Sequence, residues 1–408
     1  MTARRLLFLG TNYRPEPIGI GPYTAGLAEA LAARGHTVEV VTGQPHYPEW
    51  QVHDGYGAAS SETICGVTVH RVPHYVPARP GGAKRIAHYI DFAARTRGPL
   101  IRRAKALRPD AVVAVLPSLF FIPTAATAAR KVGAHLWAHV QDFEVEAAFA
   151  TGQLPSGGLI ERRALAFEAS QFRRPGTVST ISPAMAARLA SKGVAAERIL
   201  ELRNWANHVD SIAATDGRSM RETLGIEEKT LVLYSGSIAR KQGMDVLMDA
   251  ARKLSSRPDI AFVVCGPAEG RAALEAEAGD LSNIRFIDLV PAEEVGALLK
   301  AADVHVLPQI AGAADLVLPS KLTNMLASGR PVVATAAPGT GLAQEVEGCG
   351  LITPPGDAAA LAEAIGRLAD DPEERARLGA AAERQALARW TIEAAVVSFE
   401  NRLDAVLD

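Results

Sequence analysis

Short apolar strands alternate with longer helical segments along the whole chain, and this alternation limits the possible folds more than any other feature. Strands that alternate with helices are typical of βαβ units, which build parallel sheets. The pattern is interrupted by the polar segment 207–217, which has no clear periodicity, and it then resumes. We therefore predict an α/β protein with two Rossmann-like, doubly wound domains that face each other across a cleft.

The predicted boundaries are an N-terminal domain at 1–206, a hinge at 207–217, a C-terminal domain at 218–389 and a final segment, 390–408. The apolar runs predict strands at 6–9, 38–42, 67–72, 111–116, 135–140, 177–180, 199–202, 231–234, 261–265, 284–287, 304–307, 331–334 and 350–352. The main helices predicted between them are 23–33, 86–107, 183–192 and 244–254.

Composition excludes several classes of protein. A chain of 408 residues is too long for one core, and 48% hydrophobic residues with 5% aromatics fit a globular α/β protein. The net charge of −2 gives no strongly positive field that would attract nucleic acid. Cys65, Cys265 and Cys349 are far apart and form no CxxC motif, so we expect reduced thiols and no metal site. Without a secretion signal or a long apolar run, the expected location is cytoplasmic.

The segment 315–334 combines an acid, a helix start and a buried strand. Asp315 lies in a loop, Pro319 and Ser320 begin a helix, and Lys321 adds a positive charge beside that helix start. Proline suits the first helical position, and the free amides of a helix N-terminus attract anions. A strand follows at 331–334. An ordinary loop–helix–strand unit would have the same pattern, but the combination also suits a sugar-nucleotide site.

Two further loops of the C-terminal domain carry suitable chemistry at predicted strand ends. The first runs from 235 to 243 and contains Gly236, Ser237, Arg240 and Lys241. Glycines let backbone amides approach an anion, and either Arg240 or Lys241 can neutralise a diphosphate. The second contains Gly266. Because ligands of open α/β sheets bind beyond the carboxyl ends of strands, the recurrence predicts a phosphate-bearing ligand.

A long glycine-bearing loop, residues 10–21, follows the first predicted strand. Gly19, Ile20 and Gly21 resemble the start of a dinucleotide fingerprint, but Thr24 stands where the third glycine belongs. About ten residues also separate the strand from these glycines, whereas the dinucleotide turn is immediate. The loop therefore disfavours hydride transfer, and it suits contact with a sugar or a phosphate at the rim of the predicted cleft.

A series of short motifs resembles a known family over almost the whole chain. The motifs are Gly35-His36-Thr37-Val38, Ile181-Ser182, Lys192-Gly193-Val194, Asn204-Trp205, Ala302-Asp303-Val304, Leu307-Pro308, 327–333 and Trp390-Thr391. In this order they resemble the retaining GT-B glycosyltransferases of family 4, and most of all the WcaI/WbuB-like branch that acts in exopolysaccharide and lipopolysaccharide synthesis. The resemblance implies the GT-B fold, with a C-terminal helix that crosses back to the N-terminal domain.

Residue by residue, the resemblance assigns the C-terminal site with three departures. The family has two glutamates separated by seven residues, and the matching positions here are Asp315 and Thr323. Asp315 would sit near the transferred sugar, while Thr323 could give the ribose only an uncharged hydrogen bond. The family's phosphate-loop arginine corresponds to Ser237, and its lysine corresponds to Lys241. We expect Lys321 to replace the lost positive charge.

In the N-terminal domain, the family usually has a histidine after the strand at 135–140. The nearest equivalents are Gln141 and Asp142, and Asp142 is the residue we expect to position the acceptor hydroxyl or the donor sugar. Glu144 is close enough to compete for that role. His139 alternates within the strand, so we expect it to be packed or hydrogen-bonded there.

The chemistry that the resemblance implies is sugar transfer from a UDP- or GDP-linked donor with retained anomeric configuration. The donor is a co-substrate, and we expect no cofactor. No two aspartates stand two apart, so the DxD metal site of the other major transferase fold is not expected. Cationic side chains would then stabilise the charge that develops on the leaving diphosphate.

Residues 79–108 carry nine basic side chains and one acid, Asp91, interleaved with apolar residues. The apolar positions are Ile86, Tyr89, Ile90, Phe92 and Leu100. A basic amphipathic helix suits an anionic membrane surface, so we expect peripheral contact with the inner face of the membrane and a glycan or polyprenyl-diphosphate-linked acceptor. A solvated helix face is the simpler alternative. Other functions compatible with the sequence are a GT-B epimerase or hydrolase, a catalytically impaired relative, and a non-catalytic sugar-binding protein.

Overall fold

The computed structural model describes residues 2–17, 19–143, 145–146, 158–238, 242–310, 319 and 321–408. The chain divides into two compact units, Met1–Asn204 with Ile392–Asp408, and Trp205–Thr391. Each unit is built on its own largely parallel sheet, which confirms the prediction of two Rossmann-like α/β domains. The segment 207–217, predicted as a hinge, is part of the second unit and includes the helix Val209–Ala213.

The first unit contains an eight-stranded sheet with the order β3-β4-β2-β1-β5-β6-β7-β8. Its strands are β1 (Arg5–Gly10), β2 (Thr37–Gly43), β3 (Ser60–Ile64), β4 (Val67–Val72), β5 (Ala111–Leu116), β6 (His135–Val140), β7 (Thr177–Thr180) and β8 (Ile199–Glu201). All neighbouring strands are parallel except β3, which pairs antiparallel with β4 at the edge. Every residue of β5 is buried, as expected for a central parallel strand that is covered on both faces.

The described helices of this unit flank the sheet. They are α1 (Gly21–Ala33), α2 (Gly82–Leu107), α3 (Phe121–Val132), α4 (Leu159–Phe172), α5 (Pro183–Ser191), the 3₁₀ turn Ala196–Arg198 and, after the second unit, α15 (Ile392–Leu407). On one face of the sheet, α2 and α3 bury Phe92 and Phe121 against each other, with ring centroids 4.8 Å apart.

The C-terminal helix α15 packs on the first unit, as the family resemblance implies. Phe399 stacks on Trp137 of β6 with ring centroids 4.3 Å apart. Glu400, which is buried, forms an ion pair with Arg34 at 2.8 Å and a hydrogen bond with Nε2 of His36 at 3.0 Å. His36 is therefore a structural residue that holds α15 against the turn between α1 and β2.

The second unit contains a six-stranded, fully parallel sheet with the order β11-β10-β9-β12-β13-β14. Its strands are β9 (Thr230–Ser235), β10 (Ile260–Cys265), β11 (Ile284–Ile287), β12 (Val304–Leu307), β13 (Val332–Thr335) and β14 (Gly350–Thr353). The described helices are α6 (Val209–Ala213), α7 (Arg218–Leu224), α8 (Met244–Lys253), α9 (Ala268–Ala278), α10 (Val295–Ala301), α11 (Lys321–Ala327), α12 (Gly341–Val346), α13 (Ala358–Asp370) and α14 (Pro372–Arg389). Apolar side chains form a separate core on each face of this sheet.

Candidate active site

Three loops of the second unit leave the sheet at the same edge. Strands β9, β10 and β12 are neighbours and parallel, so the residues after Ser235, Cys265 and Leu307 emerge side by side. The loops after β9 and β10 are in direct contact, because the backbone N–H of Gly236 donates to the carbonyl of Cys265 at 3.0 Å. Gly236 and Gly266, which the sequence predicts as ligand-binding residues, lie at this edge.

Glycine is required at both of these loop starts. Gly236 has φ +137°, a conformation that residues with a side chain rarely adopt. A Cβ on Gly266 would lie 3.0 Å from the carbonyl oxygen of Gly236 and 2.6 Å from Cδ1 of Ile238. The two loops can therefore approach each other only because Gly266 carries no side chain, while Gly236 is needed for its backbone conformation.

Lys321, the first residue of α11, lies beside the loop after β9. Its Nζ donates a hydrogen bond to the hydroxyl of Tyr234 at 2.8 Å and stands 4.2 Å from the centroid of that ring. A Cβ on Gly236 would lie only 3.2 Å from the same Nζ. The structure thus brings together Lys321 and Gly236, two residues that the sequence assigns to one site although they are 85 positions apart.

Tyr234 holds this arrangement, and the sequence analysis missed it. Its buried hydroxyl accepts from Lys321 and donates to the carbonyl of Ser237 at 2.6 Å. Burial raises the pKa of Tyr234, so the phenol remains a neutral donor near neutral pH. The tyrosine therefore links the lysine to the loop. A buried aromatic at the end of a strand resembles ordinary core residues, and periodicity alone could not distinguish it.

A second feature that the sequence analysis missed is the anchor of the segment after β12. The hydroxyl of Thr335 accepts from the backbone N–H of Gln309 at 2.7 Å and donates to the Gln309 carbonyl at 2.9 Å. Gly243 packs against this segment, since a Cβ there would lie 3.4 Å from the backbone nitrogen of Ile310. The end of the β9–α8 loop and the start of the segment after β12 are therefore held together.

The remaining predicted residues of the second unit are only partly described. Thr323 is buried in α11, with 3% of its surface exposed. Pro319 accepts a hydrogen bond from the N–H of Leu322 through its carbonyl at 3.0 Å, as expected at a helix start. Asp315, Ser320, Arg240 and Lys241 lie outside the described residues, and so does Glu144 of the first unit. The roles predicted for them stay predictions.

The glycine-bearing loop of the first unit lies beyond the carboxyl ends of β1 and β2. Gly19 has φ +75° and packs close to the ring of Tyr47, to which a Cβ would come within 3.0 Å. Ile20 is half-buried and precedes Gly21, the first residue of α1. Glu16 of this loop, which the sequence pattern does not single out, is buried and accepts from the backbone N–H of Tyr47 at 3.0 Å.

The end of β6 carries a buried hydrogen-bond network. His139 contacts the Ser179 hydroxyl through Nδ1 at 2.9 Å and the Gln141 amide through Nε2 at 2.8 Å. The Gln141 side chain also exchanges two hydrogen bonds with Asn204, at 2.9 and 3.0 Å. Burial lowers the pKa of His139 to about 4, so the ring is neutral near pH 7. This confirms the prediction that His139 is hydrogen-bonded within the sheet, and the half-buried Asp142 follows directly after this network.

The interpretation that the apolar residues of the basic stretch 79–108 face a membrane is wrong. The side chains of Tyr89, Phe92 and Leu100 on α2 are buried in the first unit's own core, so they offer no apolar surface to a membrane. Their spacing reflects a helix that packs on a sheet. The exposed charged residues of α2 are all basic, and the other exposed residues are small except for Ile90. Among the described residues, no helix combines the length and the apolar character needed to cross a membrane.

The two parallel sheets, with glycine-bearing loops at their carboxyl edges and α15 returning to the first unit, define a two-domain α/β protein of the GT-B type. Two family models match the chain: Glycosyl transferase 4-like domain over residues 19–205, and Glycosyl transferases group 1 over residues 216–385. The chain is 40% identical over 351 residues to WcaI of Escherichia coli (strain K12), a protein named for glycosyl transfer in colanic acid biosynthesis, and the match covers 84% of this chain and 86% of WcaI. The chain therefore belongs to the GT-B glycosyltransferases of family 4, and it is a glycosyltransferase.

Solved structures share its fold. Sucrose-phosphate synthase from Thermosynechococcus elongatus matches with a TM-score of 0.75 and 20% identity, over 99% of both chains. Anabaena HepE, solved in complex with UDP and glucose, matches with a TM-score of 0.69 and 17% identity, over 98% of this chain and 100% of HepE.

Proposed function

We propose that the protein transfers a sugar from a nucleotide-diphosphate sugar, UDP- or GDP-linked, to a glycan or polyprenyl-diphosphate-linked acceptor in cell-surface polysaccharide synthesis. The observation that carries this proposal is the position of Lys321 beside Gly236. An ammonium group, a loop with φ +137° at its glycine and the carboxyl ends of three parallel strands converge at one edge of the sheet.

A diphosphate suits this edge for electrostatic and steric reasons. The missing side chain at Gly236 leaves the space next to Nζ of Lys321 for a phosphate oxygen. A lysine is a compact point charge that pairs well with phosphate, and Tyr234 holds the amine of Lys321 in place through a hydrogen bond and its ring face. Lys241 and Arg240 remain candidates for a second positive charge.

The proposed role of Lys321 is to stabilise the transition state. Cleavage of the sugar–phosphate bond leaves growing negative charge on the diphosphate, and a fixed cation aimed at that charge lowers the barrier. In the proposed retaining reaction, the acceptor attacks the face from which the diphosphate departs. The leaving phosphate oxygen can then take the acceptor's proton, so no separate base is required. Asp315 and Asp142 are the proposed catalytic residues, which orient the sugar and the acceptor hydroxyl, with Glu144 as the alternative to Asp142.

We further propose that the donor diphosphate is bound without Mg²⁺ or Mn²⁺, since lysine side chains supply the positive charge. The support is chemical: the described part of the diphosphate site presents an ammonium group and glycines, whereas those cations prefer carboxylate oxygens. Adding Mg²⁺ or Mn²⁺ to chelator-treated enzyme should leave the transfer rate unchanged. A large increase in rate would contradict this part of the proposal.

The acceptor class is supported by the named role of WcaI in colanic acid biosynthesis and by the exposed basic face of α2. A lipid-linked acceptor would require contact with a membrane surface, and we propose that the basic face provides it by charge. Flotation with anionic vesicles tests this contact, since binding should weaken as salt rises. Replacing Arg97, Arg102 and Lys105 by Glu should abolish it. Absence of binding at low salt would contradict the contact.

The decisive experiment for the activity is product analysis. Thermal-shift measurements with UDP-, GDP- and dTDP-sugars select the donor, because a ligand that binds the folded state raises the midpoint of unfolding. The selected donor is then incubated with and without a polyprenyl-diphosphate-linked sugar. A new glycosidic bond with the donor's anomeric configuration supports the proposal. Hydrolysis or epimerisation of the donor without acceptor, and no transfer with it, would contradict it.

A further inference from the structure

Two strand ends and helix α2 bring three histidine rings together inside the first unit. His46 follows β2, His74 follows β4, and His88 lies on α2, with exposed fractions of 2%, 8% and 1%. The ring centroids are 5.4 Å apart for His46 and His74, 4.9 Å for His46 and His88, and 4.8 Å for His74 and His88. One ring nitrogen of each histidine lies within 4.8 Å of the others.

All three rings have the same hydrogen-bond arrangement, in which Nδ1 faces a backbone carbonyl. A carbonyl oxygen can only accept, so Nδ1 carries the proton and Nε2 of the neutral ring carries a lone pair. Metal-binding histidines commonly donate their second ring N–H to a carbonyl or a carboxylate in this way. The contacts run from His46 to Gln44 at 2.8 Å, from His74 to Val72 at 3.3 Å and from His88 to Tyr75 at 2.6 Å.

The Nε2 atom of His74 is buried and has no hydrogen-bond partner among the described residues. A buried acceptor without a donor is destabilising, so a cation at this point would stabilise the fold. A neutral imidazole with a lone pair on Nε2 is the form that binds metals.

A carboxylate supports the cluster from outside. Glu16 accepts from the backbone N–H of His46 at 2.9 Å, and its Oε1 also lies 3.5 Å from Nδ1 of the same ring. A carboxylate on the Nδ1 side of a histidine orients the ring and makes Nε2 a stronger ligand. Trp50 covers the rings of His46 and His88 edge-on, with centroid separations of 5.6 and 5.4 Å.

We propose that His46, His74 and His88 bind one divalent transition-metal ion, with Zn²⁺ as the ion of best fit, through their Nε2 atoms. Imidazole nitrogens bind Zn²⁺ at about 2.0–2.1 Å in tetrahedral geometry, which places ligand atoms about 3.4 Å apart. The ring nitrogens, which lie within 4.8 Å of one another, would therefore move closer together on binding. Three protein ligands leave one position open for water or a substrate oxygen. The site belongs to the first unit and does not involve Lys321.

The sequence does not predict this site, because the three histidines stand at positions 46, 74 and 88 and share no short motif. Their common feature is visible only from the fold: two follow neighbouring parallel strands, β2 and β4, and the third lies on the helix that follows β4 in the chain.

The test uses the full-length protein without an affinity tag, stripped of metal and titrated with Co²⁺ and then with Zn²⁺. We expect one equivalent to bind, the intense visible absorption of tetrahedral Co²⁺, and displacement of that signal by Zn²⁺. Zn²⁺ should also raise the midpoint of thermal unfolding. His74→Gln and His88→Gln should each weaken binding at least tenfold. The control is His53→Gln, which removes a nearby histidine that pairs with Glu49 outside the cluster.

Two results would overturn the proposal. One is the lack of stoichiometric Co²⁺ or Zn²⁺ binding by the folded full-length protein. The other is unchanged binding in folded His74→Gln and His88→Gln. If circular dichroism shows that these variants do not fold, the Co²⁺ spectrum of the full-length protein decides: a tetrahedral spectrum supports the proposal, and a weak octahedral spectrum contradicts it.

Discussion

Nζ of Lys321 donates a hydrogen bond to the phenol oxygen of Tyr234 at 2.8 Å and also lies over the face of the same ring, 4.2 Å from its centroid. The two residues are 87 positions apart in the chain, one at the start of α11 and the other on β9. This pair fixes a positive charge beside the glycine loop after β9.

Replacing Lys321 by Ala should lower kcat/KM for the donor at least tenfold, because the transition state loses a cation next to the leaving diphosphate. A tenfold loss corresponds to about 1.4 kcal/mol. Steady-state kinetics with varied donor measures it. Lys253→Ala, at the exposed end of α8, is the control and should behave like the parent. An unchanged kcat/KM in Lys321→Ala would remove Lys321 from the site.

The Tyr234→Phe variant should raise KM for the donor several-fold while keeping the fold. It retains the ring under Nζ of Lys321 but loses the hydroxyl that joins Lys321 to Ser237. One hydrogen bond is worth about 0.5–1.5 kcal/mol, or roughly a two- to twelve-fold change. Tyr75→Phe, which alters an exposed ring of the first unit, is the control. Parent-like donor kinetics in Tyr234→Phe would show that the hydroxyl does not position the lysine.

Comparing Gly236→Ala with Gly279→Ala separates the backbone strain of a new side chain from its steric effect on Lys321. The new methyl group meets a strained φ of +137° and stands 3.2 Å from Nζ of Lys321. Gly279→Ala meets a positive φ of +55° with nothing within 4 Å, so it carries backbone strain alone. Both variants should lose stability, by about 1–3 kcal/mol in each case. Only Gly236→Ala should also weaken donor binding, which isothermal titration measures. Equal donor affinity in the two variants would contradict the assignment.

The Phe399→Ala variant should destabilise the first unit, because it removes the ring that stacks on Trp137. Truncation of a buried phenylalanine costs about 3–5 kcal/mol. Urea unfolding, followed through tryptophan fluorescence, measures the change. The milder Phe399→Leu is the matched variant and should lose clearly less. A loss below about 1 kcal/mol for Phe399→Ala would mean that α15 does not hold this unit together.

The free energy of unfolding should fall as the pH drops from about 6.5 to about 4, because His139 becomes protonated more easily in the unfolded chain. The pKa of His139 is lowered from about 6.5 in the unfolded chain to about 4 in the folded protein. The unfolded state therefore binds more protons in this range. The contribution of neutral His139 to the free energy of unfolding is fully present above pH ~6.5 and is lost as the pH falls towards ~4. Urea unfolding across this range should give a shallower pH dependence for His139→Gln than for the parent. Identical slopes would contradict the lowered pKa.

Hydrophobic periodicity predicted the sheets well, because buried parallel strands are continuous apolar runs. The strands Val67–Val72, Ala111–Leu116 and His135–Val140 have the predicted bounds. The edge strand Ser60–Ile64 was not predicted, since its residues are exposed or half-buried and its sequence is polar.

The candidate site was predictable where residues follow strand ends, as Gly236 and Gly266 do. The partners that fix the site were not, because they depend on contacts between distant segments. Tyr234 looks like a core residue until its hydroxyl is seen to reach Ser237 and Lys321. The basic stretch was misread for the opposite reason: periodicity showed an apolar face on α2 but could not show that Phe92 packs on the protein itself.

The most direct test compares how the parent and Lys321→Ala bind a nucleoside diphosphate and the matching nucleoside monophosphate, using titration calorimetry and the base selected in the donor screen. If Lys321 holds the phosphate nearest the sugar, the parent binds the diphosphate much more tightly. The variant should then lose most of that preference while its affinity for the monophosphate changes little. A variant that keeps the parent's preference for the diphosphate would contradict the account of this site.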